Sequence, residues 1–288
     1  MDKSKLLKQL LPLIDIGANL AHAGFDRDRE AVIRRAHQAG VAAMIATGSS
    51  LDDSARAVAL CRQWPGHLRA TAGVHPHHAA SFHATDVPRL AELLADPLVV
   101  AAGECGLDFY RNFSPPADQR RAFALQLALA AQHDCPLFLH QREAHADFLA
   151  MLAEHPAVAS RAVIHCFTGD VAELEACLDA GLSIGITGWI CDERRGQALR
   201  KASPRIPAER LMIETDAPYL LPRTIWPKPR DRRNEPMNLP AVLATLAECR
   251  GEPPADLARV TTGNACRFFG LTLRESVAPD GSSTIALH

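Results

Sequence analysis

The sequence contains no Cys-x-x-Cys pair, no apolar run near the roughly 18 residues that cross a bilayer, no Ser- and Gly-rich linker and almost no net charge. Its eight cysteines stand singly at positions 61, 105, 135, 166, 177, 191, 249 and 266. Structural zinc normally shows closely paired thiol or imidazole ligands, so this spacing argues against it. A chain of 288 residues can bury its own core and needs no disulfide staples. The opening Met1–Gln9 is broken up by Lys3, Lys5 and Lys8, and the apolar run Leu10–Ile14 is too short for the core of an export signal. The expectation is a cytoplasmic protein with reduced thiols and no membrane contact. The 31 Lys and Arg nearly cancel the 33 Asp and Glu, for a net charge of −2. That argues against coating nucleic acid by bulk charge and leaves room for a local basic patch.

With 48% hydrophobic and 22% charged residues the chain is an ordinary globular protein, and its length suits one large domain or two small ones. Short apolar runs recur along it: Leu11–Ile16, Val41–Ala46, Ala70–Val74, Leu98–Ala102, Leu137–Leu139, Ala162–Ile164, Leu182–Ile186 and Leu211–Ile213. Several lack polar alternation, as parallel strands buried on both faces do. Amphipathic stretches separate them: Asp26–Ala39 with Gly40 as its stop, Leu51–Gln63, Val87–Ala95, Pro116–His133, Glu143–Glu154, Val171–Ala180 and Glu193–Ala202. Asp170 with Glu173 reads as a capping box before Val171. Asn238–Arg250 and Pro254–Phe269 add two helices at the end. Eight strand–helix repeats predict a TIM-like (β/α)8 barrel over 1–270. A doubly wound open sheet is the competing architecture, but its first strand should lead into Gly-x-Gly-x-x-Gly, and here it leads into Asp15-Ile16-Gly17-Ala18-Asn19-Leu20. From Arg274 the periodicity fades, so 271–288 is expected to be a flexible tail.

The informative residues terminate the apolar runs. His75-Pro76-His77-His78 follows the third, Glu104 the fourth, His140 the fifth, His165 the sixth, and Glu214 with Asp216 the eighth. In a barrel these ends meet at one mouth, where barrel enzymes keep their chemistry. Each residue alone has an ordinary reading. A strand-end histidine can be a packed or loop residue, Glu104 can cap a helix or pair with a cation, and Asp216 before Ala217-Pro218 can start a turn. Five such ends on one edge point instead to a divalent-ion site of oxygen and imidazole donors. Such an ion polarises a phosphoryl or carbonyl oxygen and lowers the pKa of a water. Glu214, two residues before Asp216, should lie deeper and support the donors. His37, His67, His83, His133, His145 and His155 fall in helices or connectors and are taken as surface residues.

Several segments resemble one known family, the TatD-type metal-dependent deoxyribonucleases. They are Gly73-Val74-His75-Pro76-His77, Gly103-Glu104-Cys105-Gly106-Leu107-Asp108, Leu139-His140-Gln141-Arg142, Ile164-His165-Cys166-Phe167-Thr168-Gly169 and Ile213-Glu214-Thr215-Asp216-Ala217-Pro218-Tyr219-Leu220, with Gly188–Gly196 and Arg232–Pro236 in support. The resemblance spans about Leu13 to Gly270 and is nearest to the TatD branch, given the Asp15–Leu20 opening. It implies a metallo-dependent hydrolase of the barrel type that cuts DNA phosphodiester bonds. The implied mode is a 3′-5′ exonuclease on single-stranded DNA or RNA, of the kind that serves DNA repair or degradation. It implies Glu104, His140 and His165 as ligands of one divalent ion, Mg2+ first and Mn2+ or Zn2+ as alternatives. Asp216 would complete a second ion's surroundings or orient the attacking water, and His75 would line the site near the scissile phosphate. Many family members carry His-x-His on the first strand; here those positions are Gly17 and Asn19, and a glycine offers no ligand. Asp15 and Asn19 are the groups that could hold a hydrated ion there, or a second ion could arrive with the substrate.

The stretch Arg223–Arg233 holds Arg223, Lys228, Arg230, Arg232 and Arg233 against Asp231, a local charge of +4. Arginines pair bidentately with phosphates, and Trp226 among them could stack on a base, as could Trp189 and Tyr110. The ordinary reading is a solvated loop held by salt bridges, with the aromatics as packing. Single-stranded nucleic acid is therefore the expected partner, bound by a monomer. Two other functions stay open: a barrel metallohydrolase acting on a small ester or amide, and a barrel that has lost catalysis and only binds. The first often bridges two metals with a modified lysine at strand four, which here ends in Glu104; the intact donor set weighs against the second.

Overall fold

The computed structural model describes residues 12–277 and 283–288. Eight parallel strands, β1 Leu13–Ala18, β2 Val41–Ala46, β3 Leu68–Ala72, β4 Val99–Asp108, β5 Leu137–Arg142, β6 Ala162–Ile164, β7 Ser183–Ile186 and β8 Leu211–Ile213, pair in strict chain order. Each is followed by at least one helix, which returns the chain to the starting edge. Asp216 N donates to Gly17 O at 2.8 Å and Asn19 N to Ala217 O at 2.7 Å, which joins the end of β8 to that of β1 and rounds the sheet into a barrel.

Strand alternation makes two apolar layers. Met44, Ala46, Leu137, Leu139, Ala162, Ile164, Leu211 and Ile213 pack outward against the helices. The residues between them, Ala43, Ile45, Phe138, Val163 and Met212, form a second cluster with Ile14 and Ile16 that fills the interior. At roughly 1.5–3 kcal/mol per fully buried large apolar side chain, these layers dominate the stability of the fold.

The element boundaries differ from expectation in ways that matter for the site. β4 runs on past the apolar run to Asp108, and β5 to Arg142, because the ladder Gly106↔His140, Leu107↔Gln141 and Asp108↔Arg142 continues after the hydrophobic signal has stopped. β1 begins at Leu13; Leu11 lies outside the described residues. The helix expected from Glu193 starts at Gln197, since the Asp192 carboxylate accepts the N–H groups of Arg194 and Arg195 and turns the chain first. Asp170 does cap its helix, accepting from Glu173 N at 3.0 Å.

The expected flexible tail is instead a hairpin. β9 Leu273–Val277 pairs antiparallel with β10 Ser283–Leu287. Leu287 N donates to Gly66 O at 2.7 Å, and the Leu287 side chain is buried with Phe269 and Leu271 against the interior cluster. These alternating residues close the bottom of the barrel, opposite the strand ends that carry the polar groups. A period-two pattern over five residues was too short to stand out from the Ser, Pro and Gly around it.

Candidate active site

The mouth of the barrel is built by continuing its interior face. His140 stands two residues past Phe138, His165 two past Val163 and Glu214 two past Met212, so all three point into the cavity above the apolar plug. Glu104 joins them from β4, where the pairing with β5 shifts register between Gly103 and Cys105. Glu104 is the hub. Its Oε1 lies 3.0 Å from His140 Nδ1, 3.4 Å from His75 Nε2 and 3.7 Å from His165 Nε2. His165 Nε2 is 3.8 Å from Asp216 Oδ1, which also accepts from Asn19 Nδ2 at 2.9 Å.

Burial and mutual charge set the protonation of this cluster. Burial pushes Glu104 up, but His75, His165 and His140 outweigh it and hold the carboxyl well below the usual range. Burial holds His75 down at about 4, hence neutral. Burial also disfavours a charged His165, yet Glu214, Glu104 and Asp216 together raise it to about 10. Asp216 is pushed up to about 7 by burial and by the neighbouring Glu104 and Glu214, against the pull of His165.

Glu214 is the positioning residue beneath. Its Oε2 lies 2.6 Å from His165 Nδ1, and its Oε1 accepts Cys166 N at 2.7 Å. Two glycines make room for it: a Cβ on Gly17 would lie 2.4 Å from Glu214 Oε2, and one on Gly185 would lie 2.5 Å from Oε1. Asp15 is not placed to hold an ion. It is fully buried, and its carboxylate accepts Thr215 N at 2.9 Å, Thr215 Oγ1 at 2.5 Å and Gly17 N at 3.3 Å. The Asp15 side chain thus ties β1 to β8, whereas Asn19 does reach the site.

Sequence reasoning gave no role to one residue here. Asp108, the last residue of β4, is buried and receives His77 Nε2 at 2.8 Å, Tyr110 N at 3.0 Å and Arg111 N at 2.8 Å. Its Oδ2 also faces His140 Nε2 at 3.5 Å. It fixes the His77 ring and faces that of His140. The signal was available, since Asp108 ends a strand at the same mouth, but the apolar run had ended earlier.

The basic loop after β8 is less free than its local charge implied. Arg223 is paired with Glu193 at 2.8 Å, and Arg233 binds Asp28 at 2.7 Å and Glu235 at 2.9 Å while lying 5.0 Å over the Phe25 ring. Glu193 and Asp28 are distant in sequence and Glu235 lies just past the loop, so a count within it missed them. Lys228 and Arg232 are exposed, as is Trp226 at 84%. Trp189 is half-buried, with Arg195 stacked 4.5 Å over its ring, which occupies the face a base would need.

The donor set fits a divalent cation. His75, Glu104 and His140 offer ligand atoms within 4.8 Å of one another, and so do His165, Cys166 and Asp216. The buried His140 Nε2 lacks a hydrogen-bond partner. Oxygen and imidazole donors suit Mg2+, Mn2+ or Zn2+, and a cation would offset three buried carboxyls around one cavity.

The family model described as TatD related DNase matches residues 14–270. A protein of Erwinia amylovora named 3′-5′ ssDNA/RNA exonuclease TatD is 52% identical over 259 residues, 90% of this chain and 100% of its own length. One of Edwardsiella piscicida with the same name is 54% identical over the same shares. The crystal structure of a TatD homologue from Escherichia coli K12 matches with a TM-score of 0.83 at 29% identity, covering 90% of this chain and 98% of that one. A phosphotriesterase homology protein of Escherichia coli, complexed with phosphate in its active site, matches with a TM-score of 0.64 at 16% identity, over 91% and 99% of the two chains, and shares the fold alone. The chain, a (β/α)8 barrel with acid and imidazole groups gathered at its mouth, belongs to the TatD related DNase family.

Proposed function

We propose that the protein is a divalent-metal-dependent 3′-5′ exonuclease acting on single-stranded DNA or RNA. The observation that carries the reading is the approach of His75, His140 and His165 to one oxygen of Glu104, within 3.0–3.7 Å. Full-length relatives named for that activity at 52% and 54% identity support the substrate class.

Glu104, His140 and His165, with His75 beside them, would hold the ion, and Asp216 would share it or hold a second one. A bound Mg2+, Mn2+ or Zn2+ would polarise a phosphoryl oxygen and acidify water. The remaining work falls to the chain. Asp216 Oδ1 is fixed by the amide of Asn19, leaving Oδ2 to orient the attacking water and take its proton. Glu214 keeps the His165 ring turned so that Nε2 faces the cavity. Asp108 holds the His77 ring by its Nε2. Lys228, Arg232 and Trp226 are exposed on the β8 loop and free to meet the strand.

Digestion of a 5′-end-labelled single-stranded oligonucleotide with Mg2+ tests the proposal. The expected result is a ladder shortening from the 3′ end that a chelator abolishes. Hydrolysis of phosphotriesters or lactones with no action on the oligonucleotide would overturn it.

A further inference from the structure

The rim formed by β4 and β5 carries groups that the ion-binding cluster does not use. Arg142 ends β5, two residues past His140 on the same face and about 7 Å further out. Phe109 N donates to Arg142 O at 2.9 Å, which holds the two strand ends together. The Arg142 guanidinium lies 4.1 Å over the ring of Tyr110, and that of Arg111 lies 5.6 Å from the same ring. Among the described residues neither guanidinium pairs with a carboxylate, unlike Arg223 and Arg233. In the same loop Phe113 is 67% exposed, and its ring packs at 4.7 Å against His77, which is bound to Asp108.

The mouth itself holds Glu104, Asp108, Glu214 and Asp216, a set that repels a polyanion. A strand entering it needs a cation at the rim. An unpaired guanidinium and an open aromatic face at one rim are devices by which proteins hold single-stranded nucleic acid, one on phosphate and one on base. Tyr110 is half exposed, but its ring carries Arg142, so it serves the guanidinium and leaves the stacking to Phe113.

We propose that Arg142, held on Tyr110, grips the phosphate beside the scissile linkage, and that Phe113 stacks on the base at the 3′ end. This places the 3′ end of the strand on the β4–β5 side of the mouth. It rests on the single-strand nuclease reading above and adds the path of the substrate.

The test measures anisotropy of a 5′-fluorescein oligothymidylate in chelator, beside its cleavage with Mg2+. Arg142→Ala is expected to weaken binding about tenfold and to reduce the salt slope by about 0.7, with the slope restored in Arg142→Lys. Phe113→Ala is expected to cost about tenfold on a strand with a normal 3′ end and nothing on one whose last nucleotide is abasic. Unchanged affinity in Arg142→Ala, or equal losses on both strands in Phe113→Ala, overturns the proposal while wild-type cleavage leaves the nuclease reading intact. A wild type that binds these strands as described and never cleaves them overturns the nuclease reading and leaves the grip in place.

Discussion

Glu214 reaches His165 at 2.6 Å through space that Gly17 leaves open. A Cβ at position 17 would meet Glu214 Oε2 at 2.4 Å and Phe138 Cζ at 2.8 Å. Gly17 is therefore coupled to the carboxylate that orients the His165 ring. Gly17→His is expected to gain no ligand and to displace Glu214, lowering ion affinity roughly 10–100-fold, with overpacking costing about 1–3 kcal/mol. Calorimetric Mn2+ titration and thermal melts check both; tighter binding by Gly17→His would contradict the coupling.

Asp15 separates structure from ligation. Asp15→Ala leaves the buried Thr215 N–H without its acceptor, a loss of about 1–3 kcal/mol. The number of ions bound should not change. A urea melt beside a metal count distinguishes this from a ligand role, in which an ion would be lost.

The Asp28–Arg233 pair fixes the base of the β8 loop. Its two hydrogen bonds, with help from Arg35, lower the Asp28 carboxyl to about 2. A depressed acid stabilises the fold fully above the ordinary carboxylate value of about 3.8, and that contribution disappears as pH falls toward 2. Because the pair is partly exposed, about 1 kcal/mol is expected. Wild-type melting temperature should fall more steeply between pH 4 and pH 2 than that of Asp28→Asn. Parallel curves would show that the pair contributes nothing.

The C-terminal hairpin lies opposite the mouth. Leu287→Ala should lower stability by about 2 kcal/mol, at the low end for a buried leucine because the site is peripheral. Turnover below the melting transition should be unaltered. Melting temperature and initial rates measure the two; a fall in rate without a fall in stability would contradict the assignment.

The barrel was legible because eight apolar runs alternate with amphipathic helices, and that pattern survives in any reading of the sequence. The convergence of Glu104, His140, His165 and Asp216 was legible because each ends a run. Asp108 and Arg142 were not, since β4 and β5 continue by backbone pairing after hydrophobicity ends. The commitments of Arg223 and Arg233 were hidden for another reason. Ion pairs to Glu193 and Asp28 link positions 30 and 205 residues apart, which no local count of charge contains.

The most direct test of the shared ion removes its hub. Mn2+ titration and end-labelled oligonucleotide cleavage are run on wild type and on Glu104→Ala, with circular dichroism to confirm the barrel. The account predicts a folded variant that has lost both tight ion binding and cleavage. A folded Glu104→Ala that still binds the ion and shortens the strand would contradict it.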